Sequence, residues 1–158
     1  MTPDQQQQCL SNAEAHCLNQ GARLTNKRKR ILFLLLDSGT PLSAYQISDA
    51  YREKYEHQLS IMSVYRMLNF LISQHLAHRL ETTNQYIACA HMQNTEHQGS
   101  EHGTLQFLIC DQCKRVDESG IRNDILLQLN QELRKSGFTM QQEQLEIHGT
   151  CHRCAKKT

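Results

Sequence analysis

The sequence predicts an α+β fold in two parts, a helical N-terminal half that ends in a β-hairpin and a smaller α/β C-terminal half. Apolar residues recur at helical spacing through the first 75 residues, whereas short strand-like stretches are more frequent afterwards. With 158 residues, 39% of them apolar, the chain is long enough for one ordinary domain or two small ones. A polar, glycine-containing stretch indicates two domains, at residues 1–90 and 104–158, joined by a hinge loop at 91–103.

Four helices are predicted in the first half. The first, from about Gln8 to Leu18, carries Cys9 and Cys17 on one face, so we interpret both as core-facing small hydrophobes and not as ligands. Each of the other three follows a capping residue, and Ser43 with Gln46 forms a capping box. These helices run from Thr25 to about Asp37, from Ser43 to about Tyr55, and onward from Ser60.

The outer face of the fourth helix suits DNA. Arginine can bond to guanine, asparagine to adenine and serine to phosphate, while an apolar group can contact thymine. An ordinary solvated helix face has a similar composition, so the context of the helix decides. Three helices followed by a hairpin form the winged helix-turn-helix plan, in which the last helix enters the major groove. The face consists of Met62, Ser63, Arg66 and Asn69, with Tyr65 on its flank.

Four consecutive basic residues, Lys27 to Arg30, stand at the head of the second helix. Consecutive residues point all round a helix, so they cannot all touch one partner. A solvated first turn and a phosphate clamp fit this run equally well. The net charge of +1 excludes a uniformly basic nucleic-acid-binding surface.

The hairpin joins a strand that ends at Leu80 to one that begins at Tyr86. If Glu81 pairs with Tyr86 around a four-residue loop, His78 lies directly opposite Cys89. Facing residues are about 5 Å apart, so this imidazole and this thiolate can share a metal ion.

Two C-x-x-C pairs, separated by 37 residues, give the second half its strongest signal. Each pair can direct both sulfurs at one ion, and four thiolates leave no coordination position open for water. We predict a structural zinc held by Cys110, Cys113, Cys151 and Cys154, with two unrelated redox pairs as the alternative. Around the cysteines we expect a strand at 105–109, a helix at 121–136 and a strand at 138–148.

Several classes of protein are disfavoured. The first residues carry no basic-then-apolar signal, and the longest apolar run, Ile31 to Leu36, is too short to cross a bilayer. We expect a cytoplasmic protein with reduced thiols and no membrane partner. Motifs of zinc proteases, deaminases, serine hydrolases and phosphate-binding loops are absent, which argues against an enzyme or a small-molecule substrate. A zinc hydrolase and a structural zinc adaptor for protein partners are the competing interpretations.

The ordered set of features resembles the ferric uptake regulator family over about Ala22 to Cys154. The motif in the fourth helix is Ser63-Val64-Tyr65-Arg66. More narrowly, the zinc-uptake branch is matched by Arg23-Leu24-Thr25, Ser43-Ala44-Tyr45, the stretch from Glu81 to Cys89, and His148-Gly149-Thr150-Cys151. The resemblance implies a homodimeric, zinc-dependent transcriptional repressor that binds an AT-rich palindrome in double-stranded operator DNA of zinc-uptake genes.

The resemblance also implies site residues and two zinc ions per chain. One zinc is structural and held by the four cysteines. The other is regulatory, lies at the hinge, and has His78, Cys89, His102 and Glu118 as ligands. DNA contacts are implied for Tyr45, Tyr65 and Arg66, with Arg28 near the DNA backbone.

One regulatory ligand departs from the branch pattern. Gly103 stands seven residues before the first structural cysteine, where the branch has a histidine. A one-residue bulge or insertion would bring His102 into place, and His91 and His97 are the alternatives. A donor set with one thiolate suits zinc better than manganese or magnesium. A regulator of the same family that senses iron, manganese or peroxide is the alternative function, although the iron-sensing branch's His-His-Asp-His run is absent.

Overall fold

The computed structural model describes residues 2–90, 105–120, 122–141 and 144–156. The chain divides into two compact units, residues 1–97 and 98–158, and the predicted hinge at 91–103 lies outside the described residues. The predicted α+β class is confirmed. The first unit contains α1 (Pro3–Asn19), α2 (Asn26–Ser38), α3 (Ala44–Tyr55), α4 (Ile61–Ser73), β1 (Ala77–Leu80) and β2 (Gln85–Ala88); the second contains β3 (Leu105–Cys110), β4 (Val116–Gly120), α5 (Asn123–Lys135), β5 (Gln144–Gly149) and α6 (His152–Ala155).

The four predicted N-terminal helices are confirmed, and the first begins earlier than expected. Thr2 and Gln5 form a capping box that starts α1 at Pro3, a polar signal that apolar spacing does not register. The predicted capping box of Ser43 and Gln46 is present before α3. Thr25 occupies the N-cap position of α2 without a hydrogen bond from its side chain.

The first unit has its own hydrophobic core, built from all four helices and the hairpin. Ile31, Ile47 and Leu68 are fully buried in it. Cys9 and Cys17 are also buried there, which confirms that they are core residues, and burial raises the pKa of both thiols. We therefore expect this unit to fold without a metal ion.

Asp37, in the last turn of α2, joins three helices. Its carboxylate accepts hydrogen bonds from the side-chain amide of Gln6 in α1 and from the ammonium of Lys54 in α3, both at 3.0 Å. These bonds hold the pKa of Asp37 below its usual value, and the bond from Gln6 has the larger effect on it. Because the folded-state pKa is depressed, the stabilisation is present above about pH 4 and is lost as the pH falls through that lowered pKa.

We expect Asp37→Asn to lower the free energy of unfolding at pH 7 by less than about 1 kcal/mol, because the ion pair is partly exposed. The difference should shrink below about pH 4. Urea unfolding followed by tyrosine fluorescence measures it, since all five tyrosines belong to the first unit. Asp49→Asn is the control, because Asp49 pairs with Arg52 of its own helix and joins no second helix among the described residues. An equal loss at both pH values would show that the charge is not the cause.

The hairpin has a different register from the predicted one. Leu80 pairs with Gln85, so the turn is Glu81–Asn84 and His78 faces Ile87 instead of Cys89. Asn84 adopts a positive φ of 52°, which asparagine tolerates, and its side chain accepts a hydrogen bond from Arg79. The four-residue turn therefore occupies residues 81–84 instead of the predicted 82–85.

The second unit contains a three-stranded sheet of order β4-β3-β5. β3 is antiparallel to β4 and parallel to β5, with α5 between β4 and β5 in the chain. The predicted helix and the first predicted strand are confirmed, whereas β5 begins at Gln144 instead of 138. β4 was not predicted, because the stretch Val-Asp-Glu-Ser-Gly has no apolar alternation. Hydrogen bonding to β3 holds this stretch as a strand, although its composition does not predict one.

Candidate metal centres and nucleic-acid interface

The parallel pairing of β3 with β5 brings the two cysteine pairs together. Cys110 ends β3 and is the register partner of Gly149, two residues before Cys151. The backbone N–H of Asp111 donates to the Gly149 carbonyl at 2.8 Å, which fixes this end of the sheet. Cys113 follows in the turn after β3, and Cys151 and Cys154 lie at the start of and within α6.

The four sulfur atoms form a compact cluster. They all lie within 4.8 Å of one another, and the Sγ atoms of Cys113 and Cys151 are 3.8 Å apart. Two thiolates bound about 2.3 Å from one tetrahedral zinc are separated by roughly 3.8 Å, whereas a disulfide needs about 2.05 Å. The predicted structural-zinc residues therefore converge, and their spacing fits that ion.

Backbone donors tune the acidity of this cluster. The N–H groups of Cys113 and Cys151 lower the pKa of the Cys110 thiol to about 6, and the N–H of Cys154 lowers the pKa of Cys151. Hydrogen bonds with Cys151 and Cys113 raise the pKa of Cys154 to about 12. The same backbone donors that favour a thiolate at Cys110 would stabilise it as a metal ligand.

Asp111 and His148 form a supporting pair that the sequence reasoning missed. His148 Nδ1 and Asp111 Oδ1 are 2.9 Å apart and share a hydrogen bond beside the cysteine cluster. Asp111 directly follows Cys110, and His148 is the register partner of Ile109. The parallel pairing of β3 with β5 brings these two residues together although they are far apart in the chain, so no local sequence signal marks them.

His78 and Cys89 meet on the hairpin despite the corrected register. The backbone N–H of Cys89 donates to the Leu76 carbonyl, so His78 and Cys89 are diagonal neighbours on one face. A ring nitrogen of His78 lies within 4.8 Å of the Cys89 sulfur. A tetrahedral zinc would hold these atoms about 3.6 Å apart. The two side chains are thus close enough to share an ion after a small adjustment.

The other two predicted regulatory ligands belong to the second unit. Glu118 lies in the middle of β4, where it pairs with Phe107 of β3 and is half-buried. His102 lies outside the described residues, as do the alternatives His91 and His97.

The outer face of α4 points away from the core, as predicted, and one of its residues has an additional role. Val64, Met67, Leu68 and Leu71 of α4 are buried, and Arg66 and Asn69 point to solvent. Tyr45 at the start of α3 is 66% exposed, and Tyr65 is half-buried. The Ser63 hydroxyl shares a 2.8 Å hydrogen bond with that of Ser60, the capping residue of α4, so it also serves the helix start.

Three of the four consecutive basic residues have partners within their own unit. The Arg28 guanidinium lies 3.4 Å from the ring centroid of Phe70 in α4 and donates to the Arg23 carbonyl at 2.7 Å. Lys29 pairs with Glu14 of α1 at 2.7 Å, and Arg30 stacks over Tyr55 of α3. The basic run therefore connects α2 to the three other helices, an arrangement that neither alternative from the sequence described.

The ferric uptake regulator family is matched over residues 19–148. The chain belongs to this family. Within the family, the zinc uptake regulation protein of Escherichia coli K12 is 34% identical over 153 residues, which are 95% of this chain and 83% of that protein. The resemblance to the zinc-uptake branch is thereby confirmed.

Solved structures of family members agree with this placement. A zinc uptake regulator in complex with zinc and DNA is 31% identical, with a TM-score of 0.77 over 99% of this chain and 98% of that one. The crystal structure of holo XcZur is 35% identical, with a TM-score of 0.72 over 93% and 96%. Among the described residues of this family member, no helix has the length and apolarity needed to span a membrane.

Proposed function

We propose that the chain is a zinc-responsive transcriptional repressor that binds operator DNA of zinc-uptake genes as a dimer when a second, regulatory zinc is bound. The observation that carries the proposal is the convergence of His78 and Cys89 on the hairpin of a winged helix. These two residues belong to a different group of possible ligands from the four cysteines. A family member of the same branch has been solved with both zinc and DNA. A metal-ligand pair on the wing would link metal occupancy to the element that approaches DNA.

The two metal centres have different roles in this proposal. Cys110, Cys113, Cys151 and Cys154 close one centre completely, so its function is structural. His78, Cys89, Glu118 and His102 form the regulatory centre, with two zinc ions per chain in the active repressor. Because these ligands come from both units, their joint coordination would favour one relative orientation of the units over others. Zinc and DNA then strengthen each other's binding by the same factor.

The proposed DNA contacts come from α2, α3 and α4. Arg66 reads a guanine from the exposed face of α4, Tyr65 and Tyr45 flank it, and Ser63 contacts phosphate at the helix start. Arg28 contributes a phosphate contact, because its guanidinium has five N–H donors and the Arg23 carbonyl engages one nitrogen. The matching operator is an AT-rich palindrome with one half-site for each subunit.

The proposed homodimer uses the second unit. No described residue of α5 is buried, and Leu127 of that helix is 62% exposed. Leu108 and Ile147, register partners on one face of the sheet, are also exposed. Apolar surface of this kind marks an interaction site, and a second copy of the chain would cover it.

The proposal is tested by fluorescence anisotropy with promoter DNA of zinc-uptake genes from the source genome. Protein carrying one zinc per chain is titrated with buffered free zinc, while sedimentation follows the dimer. We expect DNA affinity to rise steeply with zinc and not with manganese or iron at buffered physiological levels. Tight binding that ignores zinc would overturn the regulatory role, and binding controlled by another metal would favour a different sensor of this family.

Arg28→Met tests whether this arginine contacts phosphate. Each phosphate contact that is lost should reduce the slope of log K against log salt by about 0.9, so a dimer should lose roughly two units. Arg28→Lys, which keeps the charge but not the stacking on Phe70, should retain the slope with weaker affinity. An unchanged slope in Arg28→Met would show that Arg28 only positions α4.

A further inference from the structure

We propose that Met62 is a specificity-determining residue that contacts the 5-methyl group of a thymine next to the base read by Arg66. This inference rests on the proposed function, since it requires α4 to enter the major groove. It assigns base discrimination to a side chain that is neither charged nor polar.

The position of Met62 in α4 is settled by its neighbours. Ser60 caps the helix, so Met62 stands in the first turn, and the N-terminal residues of a recognition helix are the ones that reach base edges. Val64 and Leu68 of the same helix are buried in the core, whereas Met62 is 60% exposed. Its thioether therefore projects from the face opposite the core.

Spacing within the helix links Met62 to Arg66. Four residues advance an α-helix by about 6 Å, and successive bases of one strand are about 3.4 Å apart. The two side chains can thus reach bases one or two steps apart. Arginine matches the acceptors of guanine, and a flexible apolar side chain matches the methyl group that thymine presents in the major groove.

The polar neighbours of Met62 on the exposed face of α4 are less suited to a methyl group than Met62 is. Ser63 shares its hydroxyl with Ser60, and Asn69 lies two turns further along the helix. Arg66 and Asn69 are hydrogen-bonding groups, which a methyl group cannot satisfy. Met62 is the large apolar side chain that the described part of α4 exposes strongly.

The test replaces each thymine of the operator in turn by deoxyuridine, which pairs identically and lacks only the 5-methyl group. Zinc-loaded wild-type dimer should lose affinity at one thymine of each half-site, about fourfold per methyl group and roughly sixteenfold when both half-sites change. Met62→Ala, which changes both subunits, should bind the thymine operator more weakly by a factor similar to that of deoxyuridine in both half-sites. It should be insensitive to deoxyuridine at that position.

Leu18→Ala is the matched control, because Leu18 is a large apolar side chain of the same unit that is 76% exposed and lies at the end of α1. It should keep the wild-type affinity and the wild-type deoxyuridine profile. A wild-type protein indifferent to every deoxyuridine, or a sensitive position that stays sensitive in Met62→Ala, would overturn the assignment. So would a Met62→Ala protein that loads fewer dimers on the operator with an unchanged profile, because Met62 would then face a neighbouring dimer.

Failure of this inference is distinguishable from failure of the proposed function. If the wild-type dimer binds the operator in response to zinc while the deoxyuridine profile is the same with and without Met62, only the role of Met62 is wrong. If no zinc-dependent binding occurs at all, the proposed function fails and this inference fails with it.

Discussion

At the free zinc concentrations that activate the wild-type protein, Cys89→Ser should abolish zinc-responsive DNA binding while leaving a folded dimer with one zinc per chain. The serine hydroxyl replaces the proposed thiolate ligand at a buried position, and the backbone hydrogen bond from residue 89 to the Leu76 carbonyl is kept. Because loss of even a supporting partner weakens metal sites 10–100-fold, we expect the zinc midpoint to rise at least about 100-fold. Zinc titration by anisotropy and native mass spectrometry measure the two effects.

Cys9→Ser makes the same atom exchange at a buried thiol that belongs to the core of the first unit. It should retain the zinc midpoint of the wild-type protein, because the new hydroxyl can bond to the carbonyl four residues earlier in α1. A Cys89→Ser protein with a normal zinc response would refute the regulatory assignment. An unfolded or metal-free Cys89→Ser protein would instead make Cys89 part of the structural framework.

Cys113→Ser should unfold the second unit and leave the first one folded. Cys113 is exposed, so we expect the substitution to act through the proposed zinc site and not through lost apolar packing. Zinc binding by such sites supplies about 10–16 kcal/mol, as much as the whole stability of a typical domain. In the second unit the buried apolar residues among those described are few: Phe107, Ile109, Cys110 and Cys154.

Hydrogen exchange read by mass spectrometry distinguishes the two units directly. Residues 105–156 should lose protection in Cys113→Ser, and the same loss should follow chelation of the wild-type protein. Residues 2–90 should keep theirs, because their core is separate. Gln112→Ser, an exposed change between the two cysteines of the same turn, should match the wild type. Full protection of the second unit in Cys113→Ser would show that packing, and not zinc, holds it together.

Much of the fold and the clustering of the four cysteines could be predicted from the sequence, because the signals are local. Capping residues and apolar spacing predicted α2, α3 and α4, and the C-x-x-C spacing predicted a cluster whose sulfurs converge within 4.8 Å. Signals that are polar or too short were missed. α1 starts earlier through its capping box, and β4 contains one large apolar residue, Val116.

By itself the sequence determined the α+β class, the four cysteines that cluster and the polar face of α4, since helix periodicity and ligand spacing depend on residues close in the chain. Only the tertiary structure decided the partners of residues far apart. Arg28 stacks on Phe70, and Asp111 pairs with His148 across parallel strands. The turn at Asn84 places His78 diagonal to Cys89 instead of directly opposite it, and a ring nitrogen of His78 still lies within 4.8 Å of the Cys89 sulfur. Long-range contacts and turn conformation depend on how whole elements pack, which local spacing does not encode.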